Sequence, residues 1–324
     1  MYINVMRTIL SLRKRNDYPM YSMTYYGEYG FDEFLAVGAE NDEDLLKFVQ
    51  NRLIRKKKRK FNMPNSGCTA FIAREPNGDV LFARNYDFPL TPSLVLKTKP
   101  SNRHASILVV DLMGLGYAMD NLPKGLSKKL PLLATPYMPF DGMNEKGLAV
   151  AILMIPKTDL PNDPGKITLN TTTAIRMLLD NAATVDEAIN LLGKHNIYFS
   201  LDVYCHYFIA DSSGKSVIVE YFDGKMHVIE ESIASNFYAC NGISLEDEDE
   251  TPSPRERYDK AKNTLTKCNS IMSITDAGKL LCDLGIYENG KNILQWSVIY
   301  NLTALKGMVF PGRDMSKPYL FRIK

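Results

Sequence analysis

Residues 67–88, GCTAFIAREPNGDVLFARNYDF, read as one hairpin that opens on a cysteine. Two alternating apolar segments flank Pro76-Asn77-Gly78-Asp79, and Asn-Gly favours the left-handed backbone of a tight turn between antiparallel strands. With Asn77 and Gly78 as a two-residue loop, Cys68 falls opposite Asp87, with Cβ atoms about 5 Å apart. Strict alternation then sets Arg84 on the other face, so this register needs a bulge or a bend near the strand end to turn it toward the thiol. A guanidinium beside a thiol lowers the thiol pKa and raises the thiolate fraction. The same pattern also suits a small buried cysteine in a strand.

The rest of the chain repeats the antiparallel texture. ASILVVDLMGLG (105–116) and the nearly all-apolar GLAVAILMI (147–155) read as strands, the second buried on both faces. HYFIAD and SVIVEYF form a second hairpin around SSGK. MHVIE and NFYAC follow, and WSVIYNL, GMVFPG and YLFRI close the chain as strands. Helices come in clusters. Residues 170–193 read as two, the second running from a Thr184/Glu187 capping box to Gly193. RERYDKAKNTLTK and TDAGKLLCDL make another pair. Paired strands and clustered helices predict α+β layers, not a parallel βαβ sheet. Upstream, 42–59 reads as a helix with Leu45, Phe48, Val49, Leu53 and Ile54 on one face. NMPNSG (62–67) breaks that pattern and marks a boundary. The aromatic-rich stretch 18–35 reads as packed structure.

Composition removes several function classes. The chain has 324 residues, 45% apolar and 23% charged, which is ordinary globular usage. A net charge of +2 gives no case for a nucleic-acid partner. The basic run RKKKRK (55–60) reads as a solvated helix end, and the acidic SLEDEDETPSP (244–254) as a solvated loop placed to act as a lid. The five cysteines, Cys68, Cys205, Cys240, Cys268 and Cys282, are widely spaced without CxxC. That argues against a disulfide framework or zinc site and for a reducing compartment. Residues 1–20 lack the apolar centre of a signal peptide, and no apolar run approaches the roughly 20 residues that span a bilayer. The expectation is a soluble cytoplasmic protein with no metal, no cofactor and no integral membrane segment.

Three motifs in order, GCTAFIA…ARNYDF, DGMNEKGLAV (141–150) and HYFIADSSGKSVIVEY (206–221), resemble the choloylglycine hydrolase group of N-terminal-nucleophile hydrolases, with weaker similarity near QWSVIYNL. That group holds bile-salt hydrolases and penicillin V acylases, with acid-ceramidase-like and acyltransferase relatives. The resemblance implies a four-layer αββα sandwich of two antiparallel sheets. It implies hydrolysis of a linear, non-peptide amide in a small N-acyl substrate. It makes Cys68 the nucleophile and first residue of the mature chain, with Arg84 and Asp87 flanking it. Asn144 and Asn241 match oxyanion-hole asparagines, and Arg257 a late arginine near the nucleophile, with Arg255 as its competitor. An N-terminal amine at residue 68, with a pKa near 8, takes the thiol proton and returns it to the leaving amine.

Many relatives lose only the initiator Met, whereas 67 residues precede Cys68 here. The expectation is a pro-segment, 1–67, cut from a single catalytic domain, 68–324, at Gly67-Cys68. The segment then leaves or stays as a non-covalent subunit, and the enzyme is free to form a homo-oligomer. Alternatives are an acyltransferase of the same fold, a catalytically silent binding module, and a papain-like protease built on Cys68, His206 and Asn241. The alternation of CTAFIA argues against the last, whose nucleophile opens a helix.

Overall fold

The computed structural model describes residues 2–52, 67–243, 250–288, 291–312 and 314–323. Among them, nine strands form one sheet in the order Arg13–Lys14, Met20–Tyr25, Ser93–Thr98, Ser106–Asp111, Asp141–Asn144, Ala149–Met154, Cys205–Ala210, Ser216–Phe222, Lys225–Glu230. Neighbours are antiparallel except Met20–Tyr25, which runs parallel to Ser93–Thr98. A second, fully antiparallel sheet of six strands runs Ile233–Ala234, Gly67–Arg74, Val80–Asp87, Leu294–Asn301, Lys306–Pro311, Tyr319–Arg322.

Period-two alternation sorts these strands into layers. From Ser106–Asp111, Leu108 and Val110 pack with Ile175, Leu178 and Leu179 of the Thr171–Asn181 helix. Ile107 and Val109 turn the other way and meet Phe82, Trp296 and Tyr300 of the second sheet. The outer face of that sheet, through Phe71, Leu81 and Ile299, packs on Leu265, Leu280 and Leu284 of the helices Pro254–Lys267 and Ile274–Leu284. The result is the αββα sandwich, each buried large apolar side chain contributing roughly 1.5–3 kcal/mol. No described helix is long and apolar enough to cross a membrane.

The first hairpin departs from the two-residue loop. Glu75 N–H donates to Asp79 O and Gly78 N–H to Glu75 O, with Gly78 at φ 91°. This is a three-residue loop, a turn closed by a left-handed glycine. Cys68 therefore pairs with Tyr86, and Gly67 with Asp87. A one-residue slip reverses the faces. Arg84 lies on the Cys68 face with no bulge between these strands, and Asp87 lies on the other.

Other expectations shift at their ends. Residues 112–115 form a short 3-10 helix capped by Asp111, whose carboxylate accepts from Met113 N–H, so the 105–116 strand stops early. NFYAC (236–240) is a turn, not a strand, and the pairing with the hairpin is made by Ile233–Ala234 just before it. The upstream helix is described over Asp42–Arg52. Its continuation to 59, the basic run, the 62–66 boundary and residues 244–249 of the acidic loop lie outside the described residues.

Candidate active site

Cys68 heads the second strand of the six-stranded sheet and points between the sheets, 2% exposed. Its Sγ lies 3.5 Å from Arg84 Nη2. Arg84 is anchored in turn: Nη1 donates to Asp141 Oδ2 at 2.7 Å, Nη2 to Ile152 O at 3.1 Å, and the guanidinium lies over the Tyr86 ring at 4.8 Å. Asp141 also accepts from Trp296 Nε1 at 3.1 Å and Tyr300 OH at 2.6 Å. Both charges of this ion pair are fully buried, so loss of either partner strands the other, at about 3–5 kcal/mol. Asp141 opens the DGMNEKG motif and had no assigned role. Its parity, shared with Met143, is what aims it between the sheets.

The expected lowering of the thiol pKa does not appear in this structure. Burial pushes the Cys68 thiol up, against Arg84 and Arg257 and with help from Asp87. A dry interlayer penalises the thiolate more than an arginine already shared with Asp141 stabilises it.

The main chain at residue 68 is held from the other side. Asp87, opposite Gly67, accepts from Ile286 N–H at 2.9 Å. Arg257, from the first turn of its helix, donates through Nε to Thr69 Oγ1 at 3.1 Å and through Nη2 to Asn236 Oδ1 at 2.6 Å. The same Asn236 oxygen accepts Cys68 N–H at 2.6 Å, while its Nδ2 donates to Met154 O at 2.8 Å. Arg255 instead donates to Gly242 O at 2.6 Å and covers the Phe237 ring at 4.0 Å. Of the two arginines, Arg257 is the one at residue 68.

Cys68, Arg84, Asp87 and Arg257 thus converge, joined by Asn236 and Asp141, which sequence reasoning did not select. Asn144 and Asn241 are not brought to the thiol. Asn144 lies on the helix face of its strand. Its Nδ2 donates to Leu179 O at 3.1 Å and Ala182 O at 2.7 Å, and its Oδ1 accepts from Lys146 and Leu148 N–H at 3.0 and 3.1 Å. It brackets a turn against a helix end. Asn241 accepts Ile243 N–H within an exposed turn. His206 is engaged by Glu220, with Nδ1 3.3 Å from Oε2. The sequence carries no local signal for Asn236: it follows a two-residue strand, Ile233–Ala234, whose pairing with the Cys68 strand only the structure shows.

The family model for linear amide C-N hydrolases, choloylglycine hydrolase family, matches residues 68–236, from the buried cysteine to the asparagine on its nitrogen. The chain belongs to this family. A penicillin V acylase of Pectobacterium atrosepticum is 28% identical over 179 residues, 49% of this chain and 45% of that protein, so the match spans under half the length of that relative. A conjugated bile acid hydrolase mutant from Clostridium perfringens superposes with TM-score 0.58 at 14% identity, covering 79% of this chain and 92% of that one. A penicillin V acylase from Agrobacterium tumefaciens gives TM-score 0.54 at 17% identity, covering 78% and 85%. These two likenesses establish the fold.

Proposed function

We propose that this chain is a linear-amide hydrolase whose nucleophile is the Cys68 thiol, made N-terminal by self-cleavage after Gly67. The observation that carries the reading is the convergence on residue 68: Arg84 at its Sγ, Asn236 at its nitrogen, and Asp87 opposite the residue before it. In the first step the thiol adds to the Gly67 carbonyl and the acyl group moves from nitrogen to sulfur. Water then hydrolyses the thioester, freeing the Gly67 carboxylate and the Cys68 amine. That amine accepts the thiol proton, the thiolate attacks the substrate amide carbonyl, and the protonated amine gives its proton to the departing amine. A second water releases the acid. Asp87 orients the ammonium, Arg84 favours the thiolate, and the Asn236 amide serves the oxyanion. Burial keeps the thiol protonated before the cut.

The segment before the cut stays docked in this reading. Met20–Tyr25 is an inner strand of the nine-stranded sheet, in register with Ser93–Thr98 over its full length. Ile9, Tyr21, Met23, Phe31 and Phe34 lie in the core, and Tyr29 OH donates to Asp180 at 2.7 Å. Release exposes all of these, at roughly 1.5–3 kcal/mol for each large apolar side chain.

The relatives' names make penicillin V and conjugated bile acids the first probes, beside N-acyl amino acids. The test is rapid-quench mass spectrometry during turnover. An acyl adduct on the peptide that begins with Cys68 supports the reading, and turnover undiminished in Cys68→Ala overturns it.

A further inference from the structure

The turn that carries Asn236 to residue 68 has only a two-residue strand behind it. Its own hydrogen bonds close locally, Gly242 N–H to Tyr238 O and Tyr238 N–H to Ile243 O. Ties from outside reach it at several points: Tyr238 OH donates to Pro156 O, the exposed Arg255 donates to Gly242 O, Asn236 Nδ2 donates to Met154 O, and Arg257 donates to Asn236 Oδ1. One more is of another kind. Glu220, fully buried on Ser216–Phe222, accepts Cys240 N–H at 2.7 Å through Oε1 and Ala239 N–H at 3.1 Å through Oε2. His206, also fully buried, faces it from the adjacent strand. His206 Nε2 meets no partner among the described residues, so the imidazole's one polar engagement is Glu220.

A buried carboxylate is costly unless donors surround it. Here burial pushes the Glu220 pKa up, but His206 and then Cys240, through its thiol and its amide, outweigh it, and the group stays below its ordinary value. An ionised acceptor makes the stronger hydrogen bonds, and two of these are spent on successive amides of one turn. None of the hydrolytic steps above uses either side chain.

We propose that Glu220, braced by His206, is a positioning residue: it fixes the 239–240 amides and thereby sets the Asn236 side chain on the nitrogen of residue 68. This rests on the place given to Asn236, and the experiment reads geometry without turnover, so the two can fail separately.

The experiment is residue-resolved amide hydrogen exchange in the Cys68→Ala chain, which keeps the residue-68 amide and cannot self-cleave. Glu220→Gln keeps the shape but turns an amide donor on the turn's own N–H groups. Amides 239, 240 and 68 should exchange about tenfold faster, near the worth of one hydrogen bond, while those of Leu108 and Val150 hold their rates. Adding Asn236→Ala should leave amide 68 no faster than Asn236→Ala alone. His206→Gln should move the same amides less. Where Glu220→Gln fails to fold, Glu220→Asp, which withdraws the carboxylate by one methylene, should give the same ranking. Amide 68 at its original rate while 239 and 240 accelerate, or uniform acceleration of all amides, would overturn the proposal. If Asn236→Ala itself leaves amide 68 unmoved, the placement of Asn236 is what fails.

Discussion

Asn144 and Asn236 make a controlled comparison. Both are buried to 1% exposure or less, and both spend their oxygen and their amide on hydrogen bonds. Asn144 sits in the more recognisable motif, yet its four bonds join a turn to the end of a helix on the far side of the nine-stranded sheet. Asn236 opens NFYAC, a stretch that the sequence presents only as a strand, and its oxygen holds both the Cys68 nitrogen and Arg257. The difference is parity and neighbour. Asn144 shares the face of Gly142, toward the helices, and Asp141, three residues earlier, takes the face toward Arg84. A motif specific for a fold is therefore no guide to which of its polar residues meets the thiol.

Substitution of the two asparagines should separate them most. Asn236→Ala should lower kcat/KM by 10²–10³, about 2.7–4 kcal/mol of barrier, with the fold retained. Asn144→Ala should leave the rate per folded molecule within about tenfold while costing about 1–3 kcal/mol of stability for its orphaned partners. Denaturant unfolding beside kinetics on the folded fraction decides it, and the reverse ranking breaks the comparison. The two arginines repeat the contrast at smaller scale. Arg257→Ala should cost about 2–3 kcal/mol of barrier through Asn236, and Arg255→Ala under about 1 kcal/mol, since its contacts are exposed. Equal losses in a kcat/KM assay would put Arg255 back in contention.

A buried carboxylate outside the site sharpens the same distinction. Asp111 accepts from Thr91 OH, Met113 N–H and Tyr86 OH, and burial raises its pKa to about 6. A raised carboxyl pKa means the native state binds the extra proton. Its contribution is full below the unfolded value near 4 and is lost as pH rises through about 6. Unfolding between pH 4 and 7 should show the native chain losing about 2 kcal/mol that Asp111→Asn does not lose. Parallel pH curves would mean that Asp111 is ionised throughout.

The layers were legible because alternation alone assigns Leu108 to one face and Val109 to the other. The face shared by Cys68 and Arg84 was not, because it depended on one residue of loop length: Asn-Gly favours a two-residue loop, yet here Gly78 closes a three-residue one. Asn236 hid behind a strand too short to leave a periodic signal, and two amides of the turn that follows it are met by Glu220, on a separate strand. The parallel insertion of Met20–Tyr25 beside Ser93–Thr98 joins segments far apart in the chain, and nothing local announces it.

The central claim is that residue 68 works as a free N-terminus. Intact mass and N-terminal sequencing of the active protein, with size exclusion of the same sample, test it directly. The account predicts two chains that co-elute, the larger beginning at Cys68, and a single full-length chain from Cys68→Ala. Full activity in molecules whose Cys68 is still joined to Gly67 would contradict it.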